Sequence, residues 1–319
     1  MRLFKAVVVA AVFVCMSAYA QDLLQTKKKL AYLVSDTSIP FWDIMARGIR
    51  DKATVLGYDV VVLSADNSAK KELQNFSVAL DMDLDGLIIS PTNSSAAVTI
   101  LSLAQKSGVP VVISDIGTDA GEYVSFISSD NYQGSYGLGK LLAQKMQALN
   151  IEDQRVGIIA IPQKRANGKA RTAGFMKALD EAGIKGADMR QQITFSYQET
   201  YDYTKELIDL YPDMGALWLQ GSDKFQGAVD AMQDNAKEML LLCFDAEPVF
   251  LELIPKGIIL AAGMQQPFLM GEKAVESMHL HLQGKAVQKQ QQLEVLVIDE
   301  QNIEEKLPVI KRNVLGIIE

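Results

Sequence analysis

The chain has 319 residues, of which 49% are apolar and 22% charged, and a net charge of −8. These proportions exclude a disordered or coiled-coil protein, and the length suits two domains, each able to bury a core of its own. The acidic balance also argues against nucleic acid as a partner, since phosphate contact needs grouped Lys and Arg.

The first predicted element is an export signal. Arg2 and Lys5 form a basic start, Ala6 to Met16 an uncharged apolar run, and Ala18-Tyr19-Ala20 a small-x-small cleavage site. A run of roughly a dozen apolar residues falls short of the ~20 needed to span a bilayer, so the reading is a cleaved signal, not an anchor. The mature chain is then expected to begin at Gln21 and to be soluble in the periplasm. Cys15 lacks the small-residue context of a lipoprotein signal and is lost with it. Cys243 remains alone, so the fold is expected to hold by its core without an intramolecular disulfide.

After Lys27-Lys28-Lys29, short β-rich runs alternate with longer amphipathic stretches, the pattern of parallel sheets with crossover helices. Strands are predicted at Leu30–Val34, Val60–Leu63, Leu87–Ile89, Val109–Ile113 and Tyr123–Ile127, with enough Val, Ile and Leu for burial on both faces. The first helix starts at Pro40, carries Phe41, Ile44, Met45, Ile49, Ala53 and Leu56 on one stripe, leaves Trp42 off it, and stops at Gly57. The pattern then restarts, with strands predicted at Val156–Ile161, Ile193–Phe195, Ala216–Leu219, Met239–Phe244 and Ile258–Ala262. Each half contains an apolar strand closed by an aspartate, Asp115 in one and Asp245 in the other. In open α/β sheets a ligand sits outside the carboxyl ends of strands, so both aspartates fall where a ligand would; capping the next turn is the alternative role for each.

Catalytic and cofactor material is scarce. His279 and His281 stand two apart, which on a helix points them to different sides and argues against a shared metal. A Ser-His or Cys-His set has little to draw on, and neither a metal nor a cofactor is expected. Gly134 to Lys140 fits the first seven positions of a phosphate loop, but position eight is Leu141, without the hydroxyl that would hold magnesium. A glycine-containing helix start after Asp130 is the reading here.

The order of the segments resembles that of the periplasmic sugar-binding proteins of the ribose-binding type, receptors for ABC importers. The pieces are Ser35-Asp36-Thr37-Ser38-Ile39-Pro40-Phe41-Trp42, Leu56-Gly57-Tyr58, Ile89-Ser90-Pro91-Thr92 and Val109 to Asp115 in the first half. Ile127 to Asn131, Arg171 to Phe175, Phe244-Asp245 and Met264-Gln265-Gln266-Pro267 follow, and together they cover nearly the whole mature chain. The resemblance implies an α/β fold of two Rossmann-like lobes with parallel sheets, joined by a hinge of three crossings. Those crossings are placed near Ser129-Asp130, Gln265-Gln266 and Glu294, giving lobes of 21–129 plus 266–294 and 130–265 plus 295–319.

A sugar ring offers hydroxyls at its rim and an apolar C–H face, so a site needs polar forks and an aromatic slab. Phe41 and Trp42 are the candidate slab; Asp115, Arg171, Asp245 and Gln265 are the candidate polar anchors, and these six match the family's contacts. Asp36, Gln163, Asn167, Tyr197, Ser222 and Asp223 are further polar candidates in the same loops. Ile39, Ile116 and Gly221 depart from the ribose pattern, each standing where the family donates a hydrogen bond. Ile39 and Ile116 are expected to face the ligand with hydrocarbon. The expected ligand is therefore a small uncharged carbohydrate or polyol with fewer or differently placed hydroxyls than ribose, and Asp115, Arg171 and Asp245 are expected to anchor ligand more than fold.

The resulting reading is a monomeric periplasmic receptor that catalyses no reaction and closes on its ligand for a membrane permease. Docking of the closed form on a histidine kinase or chemoreceptor is the alternative output. A repressor of the lactose-repressor type would need a basic helix-turn-helix where this chain has a signal sequence. An exported carbohydrate enzyme would need an acid–base pair that Asp115 and Asp245, with an arginine beside them, do not suit.

Overall fold

The computed structural model describes residues 27–317, so the signal sequence, its cleavage after Ala20, and Cys15 lie outside the described residues. Strands β1 (Lys28–Val34), β2 (Tyr58–Ser64), β3 (Gly86–Ser90), β4 (Val111–Ser114) and β5 (Ser125–Ser129) alternate with helices α1 (Pro40–Val55), α2 (Ala69–Leu80) and α3 (Ser94–Lys106). Helix α4 (Asn131–Ala148) then leads into β6 (Arg155–Ala160), α5 (Ala166–Ala182), β7 (Gly186–Gln191), α6 (Tyr197–Leu210) and β8 (Met214–Leu219). After these come α7 (Phe225–Asp234), β9 (Leu240–Phe244), the short α8 (Phe250–Leu253) and β10 (Ala261–Met264). Helix α9 (Pro267–Leu282), β11 (Gln290–Leu293), β12 (Leu296–Asp299), α10 (Ile303–Val309) and a π-helical turn at Ile310–Val314 close the chain.

The strands form two six-stranded sheets of the same build. One runs β11-β5-β4-β3-β1-β2 and is parallel throughout; the other runs β12-β10-β9-β8-β6-β7 and is parallel except for β12. Both faces of each sheet are covered, which is what the near-continuous apolar strands require. Along β1, Leu30, Tyr32 and Val34 join Met45, Ile49 and Ala274 from α1 and α9, while Ala31 and Leu33 join Phe76 and Ile100 from α2 and α3. In the second sheet Val156, Ile158 and Ala160 pack with Leu138 and Phe175 of α4 and α5, and Ile159 faces Leu207 and Ala228 of α6 and α7.

The chain passes between the sheets three times, between β5 and α4, β10 and α9, and β11 and β12. Two of the passages are tied together: Gln266 Nε2 donates to the Glu294 carbonyl at 2.9 Å, and Asn313 Nδ2 donates to Gln266 Oε1 at 2.8 Å. We call the half containing β1–β5, β11 and α9 lobe one, and the other half lobe two.

Three strand expectations change. Ile193–Phe195 is a bend after β7, with Ile193 79% exposed; the strand itself, Gly-Ala-Asp-Met-Arg-Gln, pairs only with β6 and is half-buried, so it carries no apolar run. β10 begins at Ala261, not Ile258, and the outer strands β11 and β12 were not predicted, β11 being Gln-Gln-Gln-Leu. An edge strand packs on fewer neighbours and needs less hydrocarbon, which removes its sequence signature.

Asp130 caps α4 by accepting from the Gln133 N–H at 3.1 Å, and the phosphate-loop glycines lie within that helix. A Cβ at Gly134 would come 2.5 Å from Val295, so the glycine serves close packing on the residue just before β12. His279 Nδ1 pairs with the Tyr58 hydroxyl at 2.8 Å and His281 is exposed, so the two do not converge. Cys243 is buried and free.

Candidate functional site

The carboxyl ends of both sheets face a cleft between the lobes, the place where open α/β sheets bind ligands. Corresponding loops of the two lobes line it. The loop after β1 and the start of α1 supply Ile39, Phe41, Trp42 and Ile44; the loop after β6 and the start of α5 supply Ile161, Arg165, Asn167 and Arg171. The ends of β4 and β9 supply Asp115 and the run Asp245-Ala246-Glu247, and Gly221-Ser222-Asp223 follows β8.

Asp115 and Asp245 are structural counterparts. Both sit in the left-handed backbone region, at φ 62° and 70°, and each donates its N–H to a carbonyl of the adjacent strand at 2.9 Å, Asp115 to Ile127 and Asp245 to Gly263. A non-glycine residue there costs of order 1–3 kcal/mol of backbone strain, and aspartate tolerates it better than most. The strand is thereby ended sharply and the carboxylate aimed into the cleft.

The polar groups form one network. Asp115, 97% buried, accepts from Asn167 Nδ2 at 3.2 Å through Oδ2, while its Oδ1 has no hydrogen-bond partner among the described residues. Burial pushes its carboxyl up to about 6, against the pull of Arg171. Arg171 is held on every side: Nε donates to Asn131 Oδ1 at 2.8 Å, Nη1 to the Gln220 carbonyl at 2.6 Å, and its guanidinium lies 3.9 Å from the centre of the Phe244 ring. Its Nη1 also stands 3.6 Å from Asp245 Oδ2. Asp245 accepts from Gln265 Nε2 at 2.6 Å, and Gln265 Oε1 is buried with no partner among the described residues. Burial raises the Asp245 carboxyl too, though Arg171 and Gln265 restrain it.

The aromatic pair meets edge to face, with ring centres 4.9 Å apart. Trp42, off the predicted stripe, is the deeper of the two: it is 96% buried in the core of lobe one, whereas Phe41 is half-buried. The reason is α9, which packs on α1 and widens its buried face beyond what the sequence of α1 alone shows.

All six principal candidates, Phe41, Trp42, Asp115, Arg171, Asp245 and Gln265, line the cleft, as do Asn167, Ser222 and Asp223. Asp36, Gln163 and Tyr197 do not line it. Asp36 accepts from Asn67 Nδ2, Gln163 bonds to Thr172 and Gln220 beneath the cleft wall, and Tyr197 is exposed and donates to Asp230. Ile39 and Gly221 line the cleft, but Ile116 does not: it is fully buried beside Tyr32, Val112 and Ile127 in the core of lobe one. Asp115, in its left-handed turn, carries the following side chain inward.

Sequence reasoning missed Arg165 and Glu247. Arg165 is 94% buried and reaches across the cleft, donating through Nε to the Thr92 carbonyl and through Nη2 to Asn67 Oδ1, both at 3.2 Å. Thr92 is in turn held by Glu72, which accepts its N–H at 2.8 Å and its hydroxyl at 3.1 Å. Burial pushes Glu72 up to about 7 and draws Arg165 down to about 10. Glu247 accepts the Ser222 hydroxyl at 2.8 Å, and burial pushes its carboxyl to about 7. Neither residue belongs to a short motif, and in sequence each reads as an ordinary surface charge of a loop. No cluster suited to a metal exists among the described residues, and none of their helices is long and apolar enough to cross a membrane.

Two parallel-sheet lobes, three passages of chain and a polar cleft with an aromatic wall define a two-lobed α/β binding protein. The chain belongs to the periplasmic binding protein family, whose domain model matches residues 30–286. It is 30% identical over 287 residues to the ribose import binding protein of Haemophilus influenzae, covering 89% of this chain and 94% of that one. Its fold matches a carbohydrate transporter solute-binding protein from Agrobacterium radiobacter solved with D-arabinose, at TM-score 0.83 and 22% identity over 91% of this chain and 99% of that one. It also matches the Caulobacter myo-inositol binding protein bound to myo-inositol, at TM-score 0.81 and 22% identity over 88% and 96%.

Proposed function

We propose that this chain is exported to the periplasm by a signal cleaved after Ala20 and there captures a small carbohydrate or cyclic polyol between its lobes. The lobes divide at 129/130, 265/266 and 294/295, and the closed form is presented to the permease of an ABC importer. The observation that carries this reading is the convergence in one cleft of an aromatic pair with Asp115, Arg171, Asp245 and Gln265, drawn from both lobes and a crossing between them. Unpartnered buried oxygens of the cleft, among them Asp115 Oδ1 and Gln265 Oε1, are acceptors for hydroxyl protons. The ribose import relative and the sugar- and inositol-bound neighbours support the same class of ligand.

Calorimetric titration of pentoses, hexoses and cyclic polyols tests it. At least one is expected to bind with a dissociation constant near or below the micromolar range, and Asp115→Asn is expected to weaken it by about 1.5–3 kcal/mol, the scale of a hydrogen bond to a charged group. Binding that survives this substitution unchanged would place the ligand elsewhere.

A further inference from the structure

The sequence alone set two aspartates against one arginine and favoured an uncharged ligand. In the folded protein the cleft holds four carboxylates, Asp115, Asp223, Asp245 and Glu247, and two guanidiniums, Arg165 and Arg171. The cations are unevenly placed. Arg171 pairs with Asp245, both guanidiniums act on Asp115, and Lys224, outside the cleft lining, pairs with Asp223 at 2.9 Å. Glu247 has no ion pair among the described residues. The charges acting on it are Asp223 and Asp245, which repel its ionised form, and Lys224, which attracts it less strongly. On its own strand end it also faces the buried thiol of Cys243.

Gly221 lines the cleft next to Ser222, which donates to Glu247. A Cβ at Gly221 would have nothing closer than Ile161 at 3.9 Å and Asp223 at 4.0 Å, and no left-handed backbone demands glycine there. The glycine leaves room for part of a ligand. Several donors around this cleft are meanwhile committed to the protein: Asn167 to Asp115, Gln265 to Asp245, Ser222 to Glu247, and Arg165, through Nε and Nη2, to Thr92 and Asn67. Acceptors are left over, on Asp115 and Gln265, each at least 97% buried. A site with spare acceptors and a carboxylate without an ion pair is matched by a group that donates several hydrogen bonds and carries a positive charge.

We propose that the ligand is an amino sugar or amino cyclitol whose ammonium group sits in the space left by Gly221, against Glu247 and Asp223. This rests on the carbohydrate reading above and narrows it. The ring lies against Phe41 and Trp42 with its hydroxyls toward Asp115 and Gln265, and Glu247 sets the preference for an amine over a hydroxyl. Binding of the cation favours the ionised carboxylate of Glu247, whose burial in the empty protein favours the neutral acid.

The test is calorimetric titration at pH 7.5 with matched probes: D-glucosamine, D-galactosamine and an inosamine against D-glucose, D-galactose and myo-inositol, with N-acetyl-D-glucosamine as an uncharged amide. At least one amine is expected to bind about ten-fold or more tightly than its hydroxyl counterpart, the scale of one charge-assisted hydrogen bond. Glu247→Gln is expected to bring that ratio to about one. If Glu247→Gln fails to fold, the wild-type ratio decides alone. Hydroxyl probes binding as tightly as the amines, or a ratio that survives Glu247→Gln, would overturn the amine proposal and leave the carbohydrate reading standing. Binding of no probe would overturn the amine proposal, and the carbohydrate reading would then stand or fall on the wider titration of pentoses, hexoses and cyclic polyols.

Discussion

Lobe one and lobe two share a strand order and an aspartate in a left-handed turn after the fourth strand of each, yet they present different chemistry to the cleft. Lobe one offers Ile39, Phe41, Trp42 and Ile44, with Asp115 as its one charge; lobe two offers Ile161, Phe195 and Val314 and, beside them, the charges of Arg165, Arg171, Asp223, Asp245 and Glu247. The backbone framework thus fixes where a side chain enters the cleft, and the residue at each entry point fixes what it does there. A wall with a single charge facing a mixed wall rich in charges suits a molecule with a C–H face and a polar rim, and places most of the directional bonding in one lobe. The charged wall is also the more deeply built into its own lobe, so its residues serve fold and ligand together.

The largest test of that contrast sets Arg171 against Asp115. Arg171 was expected to anchor ligand with little effect on the empty protein, but its bonds to Asn131 and Gln220 and its stacking on Phe244 make it part of lobe two. Arg171→Ala should destabilise the unliganded protein by about 3–5 kcal/mol, because it leaves buried Asp245 and its other partners unpaired. Asp115→Asn should leave the melting temperature unchanged or raise it, since burial already disfavours the charge it removes. Equal losses in denaturation of the two variants would erase the distinction.

A second test divides the aromatic wall. Trp42→Ala should cost about 3–5 kcal/mol of stability from a deeply buried position, while Phe41→Ala should cost less than half as much and act mainly on affinity. Thermal melts with and without ligand separate the two. A Phe41 variant as unstable as the Trp42 variant would mean that the wall belongs wholly to the core.

The smallest effect concerns the contact across the cleft. Glu72 titrates at about 7 in the folded protein against an ordinary value of 4.5, so the folded state holds its proton more tightly than the unfolded chain. Its contribution to stability is therefore complete below the ordinary value and is lost as pH rises through about 7. Glu72→Gln should flatten the change in melting temperature between pH 5 and 7.5 by a few degrees relative to the unaltered protein. An unchanged slope would show that Glu72 is charged throughout, paired to Arg165.

Much of this was legible in the chain. Buried parallel strands must be apolar on both faces, so β1, β3, β6, β8 and β9 announced themselves, and the aspartates at the ends of β4 and β9 marked the cleft before any contact was known. The order of motifs around Phe41, Arg171 and Gln265 added the site. The edge strands β7, β11 and β12 stayed silent because half-covered backbone imposes little on composition.

What only tertiary structure decided is depth, pairing and charge balance. A window of sequence cannot show that Trp42 joins a core with Met270 of α9, that a turn at Asp115 carries Ile116 into that core, or that Arg165 reaches Asn67 and Thr92 in the other lobe. Nor can it show that Glu247 ends in the cleft without a cation beside it. Residue type and period are set by local backbone geometry and by which faces are buried, and these are written along the chain. Desolvation and Coulomb interaction depend on distances between residues far apart in sequence, and those distances exist only once the two lobes have folded against each other.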